Sequence, residues 1–218
     1  MAEKIYSIKI KEAFNDKCGC PVCTLRNQLE ADEIQRILGA AMMEPDIRKE
    51  TNKKGFCKNH LEKLLTSGNK LPLALMLSTH LDELDGKLFK GGSKKAAGAY
   101  ADARKSCYLC SRVATFMTHV ADNICYLYSA EEDFRKLFAE QEYFCKTHSA
   151  KLLEMAEKTL GKKDRTAFCD TLTACNKKYI DTLKEDLDWF CKKFDYRYEK
   201  EDWKNSKDSI ERTVKYLS

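Results

Sequence analysis

Apolar side chains recur along this chain at spacings of three and four, the period of helices with one buried face. A first helix is predicted from Pro21, turning Leu25, Leu29, Ile34, Leu38 and Ala41 inward, with a ragged end at Gly39. Pro45 opens a short helical return that Gly55 breaks. The next helix runs from Cys57 through Leu61, Leu64 and Leu65 to the Ser67-Gly68 stop. From Pro72 a strongly apolar helix places Leu73, Leu77, Leu81, Leu84 and Leu88 on one stripe, with His80 at its edge. Lys90-Gly91-Gly92-Ser93 reads as a loop, and residues 96–104 as a short helix. Val113, Met117, Val120, Ile124 and Leu127 form another stripe, with His119 on the surface side. Ser129 to Glu132 has the form of a capping box. A helix from Cys145 to Leu160 is stopped by Gly161. A long one follows Asp164, with Phe168, Leu172, Cys175, Tyr179, Leu183, Leu187 and Phe190 spaced three or four apart. That face is expected to lie across the preceding helices or to form a dimer seam. The segment before Pro21 is less regular: Ile8-Lys9-Ile10-Lys11 alternates as a strand would, so residues 5–14 read as a short helix or an extended arm.

Cysteine spacing adds chemistry to this pattern. Cys20-Pro21-Val22-Cys23 and Phe56-Cys57-Lys58-Asn59-His60 return as Cys107-Tyr108-Leu109-Cys110 and Phe144-Cys145-Lys146-Thr147-His148. The intervening stretch is 33 residues from Cys23 to Cys57 and 34 from Cys110 to Cys145. Each F-C-K-x-H is preceded by a matching acid and base, Asp46-Ile47-Arg48-Lys49 and Asp133-Phe134-Arg135-Lys136. Three thiolates and an imidazole are a preferred tetrahedral zinc set. Cys and His at i, i+3 share one helix face, and a helix N-terminus favours thiolate. Two zinc ions are therefore expected, one on Cys20, Cys23, Cys57 and His60, the other on Cys107, Cys110, Cys145 and His148. A c-type haem needs His directly after C-x-x-C, where Thr24 and Ser111 stand, and an iron–sulfur cluster usually needs four cysteines. Lys58, Lys146, Arg48 and Arg135 are candidates to offset the negative charge of such sites, with Asp46 and Asp133 orienting the arginines or histidines. The plainer role for the two aspartates is charge at a helix N-terminus.

The fold class these readings predict is all-α. Two similar helical repeats, 18–89 and 105–175, each surround one zinc site, flanked by an arm at 1–17 and a connector at 90–104. The rest of the long helix and an aromatic-rich tail fill 176–218. In that tail Phe194, Tyr196, Tyr198 and Trp203 sit among charges, as a lid over the repeats or a partner-binding patch. Asn205 to Asp208 should cap a last short helix. Three prolines and nine glycines leave little room for the turns of an all-β fold.

Eleven cysteines could staple a secreted scaffold, but the first 17 residues lack the apolar core of a signal peptide, and no run approaches about 18 apolar residues. A reducing cytoplasm, with cysteines used as ligands, is the expectation. Cys125, Cys169, Cys175 and Cys191 then read as small core residues, and Cys18 as an alternative ligand or resolving thiol. The net charge of +5, spread over a chain that is 33% charged, argues weakly for nucleic acid, with Lys94, Lys95, Arg104 and Lys105 the best candidates.

The series C-P-V-C, P-D-x-R, G-F-C-x-x-H, a second C-x-x-C with F-C-x-x-H, and a late K-F-D-Y-R-Y resembles an uncharacterised family of bacterial cytoplasmic proteins, over nearly the whole chain. The resemblance implies a bacterial source and carries no activity. The second copy departs from the first in having Tyr143 for Gly55 and Glu132 for Pro45; the ligand types are unchanged.

The functional expectation is a zinc protein with two structural sites serving as a macromolecular interaction or regulatory module. A protein partner is expected before nucleic acid, homodimerisation is possible, and no membrane is involved. Four protein ligands leave no position for substrate, so an enzyme is not expected. The alternative is a thiol-redox or metal-responsive protein that releases zinc on oxidation, with Cys18–Cys20 or Cys20–Cys23 as the bond formed; nucleic-acid binding is the further alternative.

Overall fold

The computed structural model describes residues 3–17, 19–89 and 92–218, apart from the side chains of 3–6, 92–95 and 104. Cys18, with Lys90 and Gly91 of the expected loop, lies outside the described residues, as do the side chains of Lys94, Lys95 and Arg104. The protein is all-α, with no strand among the described residues. The helices are α1 (Glu3–Asn15), α2 (Pro21–Leu38), α3 (Pro45–Lys54), α4 (Lys58–Thr66), α5 (Lys70–Leu88), α6 (Gly92–Lys105), α7 (Tyr108–Ala130), α8 (Glu132–Ala139), α9 (Lys146–Thr159), α10 (Lys162–Lys192) and α11 (Ser209–Leu217). Pro21 and Pro45 each occupy a first helical position, where the missing N–H costs nothing. The expected capping box does not form. α7 runs on to Ala130, Ser129 Oγ donates back to the Tyr126 carbonyl, and Glu131 stands at the start of α8.

These helices gather into two compact units that do not follow the repeats. Unit 1 combines Met1–Leu25 with Thr118–Ser218, and unit 2 is Arg26–Met117. The expected division into 18–89 and 105–175 is corrected accordingly.

Unit 1 is built on aromatic rings. Phe14, Phe134, Phe138, Phe144 and Phe168 are fully buried, and their centroids, with that of Tyr128, lie 4.6–6.1 Å apart. The irregular N-terminal segment is a helix: α1 packs on α8 and buries Ile10 and Phe14. The stripe Phe168, Leu172, Cys175, Tyr179 and Leu183 on α10 is buried, but against α8, α9 and α11 of this unit rather than across two repeats. In the tail, the Lys193 ammonium is buried and donates to the carbonyls of Tyr198, Glu199 and Glu201 at 2.5–2.8 Å, so the loop folds around it. Trp203 packs on Phe190, whereas Phe194 and Tyr196 stay 76% and 85% exposed, which a lid would not leave. Cys125 and Cys175 are core residues as expected; Cys191 is exposed instead.

Unit 2 has an aliphatic core of Ile34, Ile37 and Leu38 from α2, Leu64 from α4, Leu73 and Met76 from α5, and Leu109 from α7. α5 packs on α3, α4 and α6. Burial on α5 follows Leu73, Met76 and Leu88, so Leu81 of the expected stripe is 63% exposed. Beside this core sits a buried carboxylate, Glu33. It accepts two bonds from the Arg36 guanidinium at 2.8 and 2.6 Å, one from the Tyr108 hydroxyl at 3.1 Å and one from Arg112 Nε at 3.4 Å. Burial pushes this carboxyl up, but the Arg36 hydrogen bonds and charge, with Arg112 and Tyr108, outweigh it and hold it below the usual range.

Candidate metal centres

All eight predicted Cys and His ligands come together in two Cys3His clusters, but the partners are exchanged. Cys20, Cys23, Cys145 and His148 form one cluster within unit 1, and Cys57, His60, Cys107 and Cys110 form the other within unit 2. In each cluster the four donor atoms lie within 4.8 Å of one another. The C-x-x-C of the first sequence copy therefore meets the F-C-x-x-H of the second, and the reverse. This corrects the expected grouping, and the reason lies in the residues flanking the ligands. In unit 2, the Tyr108 amide donates to the Gly55 carbonyl at 2.9 Å, and the Phe56 and Tyr108 rings meet edge to face. In unit 1, the Tyr143 ring lies over Gly19, where a φ of +94° and a 3.0 Å approach of an added Cβ to the Tyr143 hydroxyl would strain any other residue. Tyr143 thus fits over a glycine of its exchanged partner, whereas the Tyr108 bond to Gly55 is backbone to backbone and the space above Gly55 is taken by the His80 ring. Gly19 and Tyr143 are the signal in the sequence.

Helix ends position every ligand. Cys57 and Cys145 are the N-cap residues of α4 and α9, which puts His60 and His148 in the first turns. Cys20 and Cys107 immediately precede α2 and α7, and Cys23 and Cys110 sit in their first turns. Each cluster is thus the meeting of two helix N-termini, where backbone amides and the dipole favour anionic sulfur. Without a cation, three close sulfurs cannot all ionise. Cys145 is held far below the usual thiol range by bonds from Cys20 and Cys23, while the bond to Cys145 pushes Cys20 up to about 11 and Cys23 far up. In unit 2, burial pushes Cys57 up, but the His60 amide, the Cys107 and Cys110 thiols and the Asn59 amide outweigh it, and its thiol lies below the usual range. Burial and the neighbouring sulfurs push Cys110 up to about 12.

The separations lie within about half an ångström of those a tetrahedral ion sets. Metal–sulfur bonds of ~2.3 Å and metal–nitrogen bonds of ~2.05 Å set sulfur–sulfur edges near ~3.8 Å and sulfur–nitrogen edges near ~3.6 Å. In unit 2 the Cys57 and Cys110 sulfurs are 3.8 Å apart, and His60 Nδ1 lies 3.1, 3.3 and 3.4 Å from the sulfurs of Cys57, Cys107 and Cys110. In unit 1 the Cys23 and Cys145 sulfurs are 3.5 Å apart, and His148 Nδ1 lies 3.2, 3.2 and 3.9 Å from those of Cys23, Cys145 and Cys20. A disulfide would draw sulfurs to ~2.05 Å, and all ten described cysteines are free. Both clusters have the donor set and the spacing to hold a metal ion.

The groups around the ligands are other than the six expected. Asp46 and Asp133 are exposed in the first turns of α3 and α8, 3.7 Å from Lys49 and Lys136, which is the plainer helix-end role. Arg48 donates to the Leu75 carbonyl and Thr79 Oγ1, tying α3 to α5, and Arg135 donates to the Ser129 carbonyl. Lys58 is exposed with Glu62 3.9 Å away, and Lys146 is exposed. In their place stands Glu30 on α2, which is buried. His60 Nε2 donates to its Oε1 at 2.8 Å, and Lys63 Nζ donates to its Oε2 at 2.7 Å. That bond fixes the tautomer and leaves the Nδ1 lone pair facing the sulfurs. In unit 1 the comparable device is Asn176 of α10. Its Oδ1 accepts from the Phe144 amide at 2.9 Å and its Nδ2 donates to Ser149 Oγ at 2.8 Å, locking the turn that carries Cys145. No spacing rule marks either residue.

Among the described residues, no helix is long and apolar enough to cross a membrane. No solved structure matches this chain. One relative, an "Uncharacterized 23.9 kDa protein in xynA 3'region" of Caldicellulosiruptor sp. (strain Rt8B.4), is 24% identical over 179 residues, covering 78% of this chain and 83% of that protein. The match to the family's model runs over residues 1–218, and the chain belongs to the "Family of unknown function (DUF6062)".

Proposed function

We propose that this is a two-zinc protein in which each ion is structural, clamping two helix N-termini within its own unit. The observation that carries this is the geometry of the unit 2 cluster. A tautomer-fixed Nδ1 stands 3.1–3.4 Å from three sulfurs, and two of those sulfurs are 3.8 Å apart. All four donors lie within 4.8 Å of one another, near the edges of about 3.6–3.8 Å that zinc sets. Four protein donors fill a tetrahedron, which argues against catalysis at the metal. Free thiols in two clusters suit a reducing compartment such as the cytoplasm. The protein then serves as an interaction or regulatory module. The exposed Phe194 and Tyr196 support a protein partner over nucleic acid. Elemental analysis of anaerobically purified full-length protein tests the core of this reading. Two zinc ions per chain are expected, with three sulfurs at ~2.3 Å and one nitrogen at ~2.05 Å by X-ray absorption. A stably folded, metal-free protein would refute it.

A further inference from the structure

The two clusters differ in what reaches them from solvent. Cys110 is exposed and Cys57 is half-buried, with their sulfurs 3.8 Å apart on different helices, while Cys107 and His60 are buried. In unit 1, Cys20, Cys145 and His148 are all buried and Cys23 is half-buried; its neighbour Cys145, at 3.5 Å, is closed to solvent. The same unit lays its C-terminal helix beside the ligand turn, where Thr147 Oγ1 donates to the Ser218 carbonyl at 2.8 Å and the Tyr216 and Tyr143 rings meet edge to face.

We propose that the unit 2 cluster is a modification site for hydroperoxides, with Cys110 the sulfur oxidised and Cys57 the sulfur that closes on it. This rests on the zinc reading, both for the fate of the ion and because a bound ion is what keeps the ligand sulfurs ionised. The exposed Cys110 thiolate attacks the O–O bond and takes one oxygen as sulfenic acid; the other leaves with a solvent proton as water, or as alcohol from an alkyl hydroperoxide. The Cys57 thiolate then attacks that sulfur. The S–O bond breaks, a second proton converts the departing hydroxide to water, and a disulfide forms. Two electrons from two sulfurs have reduced one peroxide. Cys107 and His60 alone cannot keep a tetrahedral ion, and zinc leaves. The unit 1 cluster, with one half-exposed sulfur, is passed over. The predicted bond is therefore neither Cys18–Cys20 nor Cys20–Cys23.

The test uses full-length, anaerobically purified protein, hydrogen peroxide and a chromogenic zinc chelator, with alkylation and peptide mass spectrometry in parallel. One ion should leave at least ten-fold faster than the other, in step with a Cys57–Cys110 cross-link. Release of both ions at one rate, or a first cross-link at Cys20–Cys23 or Cys107–Cys110, overturns the proposal. Protein that purifies without zinc is loaded with zinc before peroxide is added. Failure to take up any ion sinks the zinc reading, whereas a different first cross-link in the zinc-loaded protein sinks this proposal.

Discussion

The two units hold the same four donors at the same kind of helix junction but surround them with different matter. In unit 1 the cluster adjoins an aromatic core that runs through α1, α7, α8, α10 and the turn before α9, and Asn176 fastens the ligand turn from outside. In unit 2 the cluster borders a smaller aliphatic core, and Leu71, Leu75 and Leu81 of α5 remain largely in solvent. A structural zinc contributes about 10–16 kcal/mol in small domains, against a net domain stability of about 5–15. Where rings already bury a large apolar area, a bound ion would secure a fold that other contacts also specify. Where they do not, it would be much of what specifies it.

The sharpest way to break this comparison is to test the exchanged pairing itself. Cys20→Ser with Cys145→Ser damages one cluster and should leave about one zinc per chain, whereas Cys20→Ser with Cys57→Ser damages both and should leave close to none. Pairing within each sequence copy gives the opposite counts by elemental analysis.

Next in size is the response of each unit to losing its ion. Cys57→Ser should collapse amide-exchange protection across 26–117 while 118–218 keeps its own. Cys145→Ser should loosen the turn at 143–149 but leave α8 and α10 protected. Equal losses in both units would mean that the aromatic core does not carry unit 1.

A finer effect separates the supports of the ligands. Glu30→Gln keeps the shape but weakens the hold on His60 Nε2, and should cost about 10–100-fold in zinc affinity at one site only. Competition with a chelator of known affinity reads this directly. A loss at both sites, or at neither, would remove Glu30 from its role.

The smallest effect is one of pH. Glu33 has a folded carboxyl pKa below its unfolded value, so it contributes stability above the unfolded pKa that is lost as pH falls through the folded one. The urea-measured deficit of Glu33→Gln should therefore be present at pH 7 and shrink toward pH 3.5. A deficit of constant size would show that the bonds from Arg36, Arg112 and Tyr108 act without the charge.

The helical class and the eight clustered residues were legible because they follow local rules: a period near 3.6, and ligands one turn apart at i, i+3. The pairing was not, because either combination of C-x-x-C and F-C-x-x-H gives the same donor set. The fit of Tyr143 over Gly19 favours the exchanged pair, and the bond that fastens Tyr108 to Gly55 is between backbone atoms, which no residue type announces. The matched Asp46/Arg48 and Asp133/Arg135 suggested support for the ligands, yet the shared position produced exposed first-turn acids in α3 and α8, and arginines that bond elsewhere. Glu30 and Asn176 act across space from other helices, so nothing in their neighbourhood along the chain marks them.

The exchanged pairing also sets the order of events during synthesis. Cys23 and its partner Cys145 are 122 residues apart, an interval of about 6–24 s at a translation rate of ~5–20 residues per second. The unit 2 cluster can close once Cys110 has emerged. Before that, when His60 leaves the ribosome, the nascent chain holds one complete Cys3His set, and it is the wrong one: Cys20, Cys23, Cys57 and His60. Zinc captured at that moment would fasten the first copy to itself, and thiolate exchange would then have to hand the ion over as the later ligands arrive.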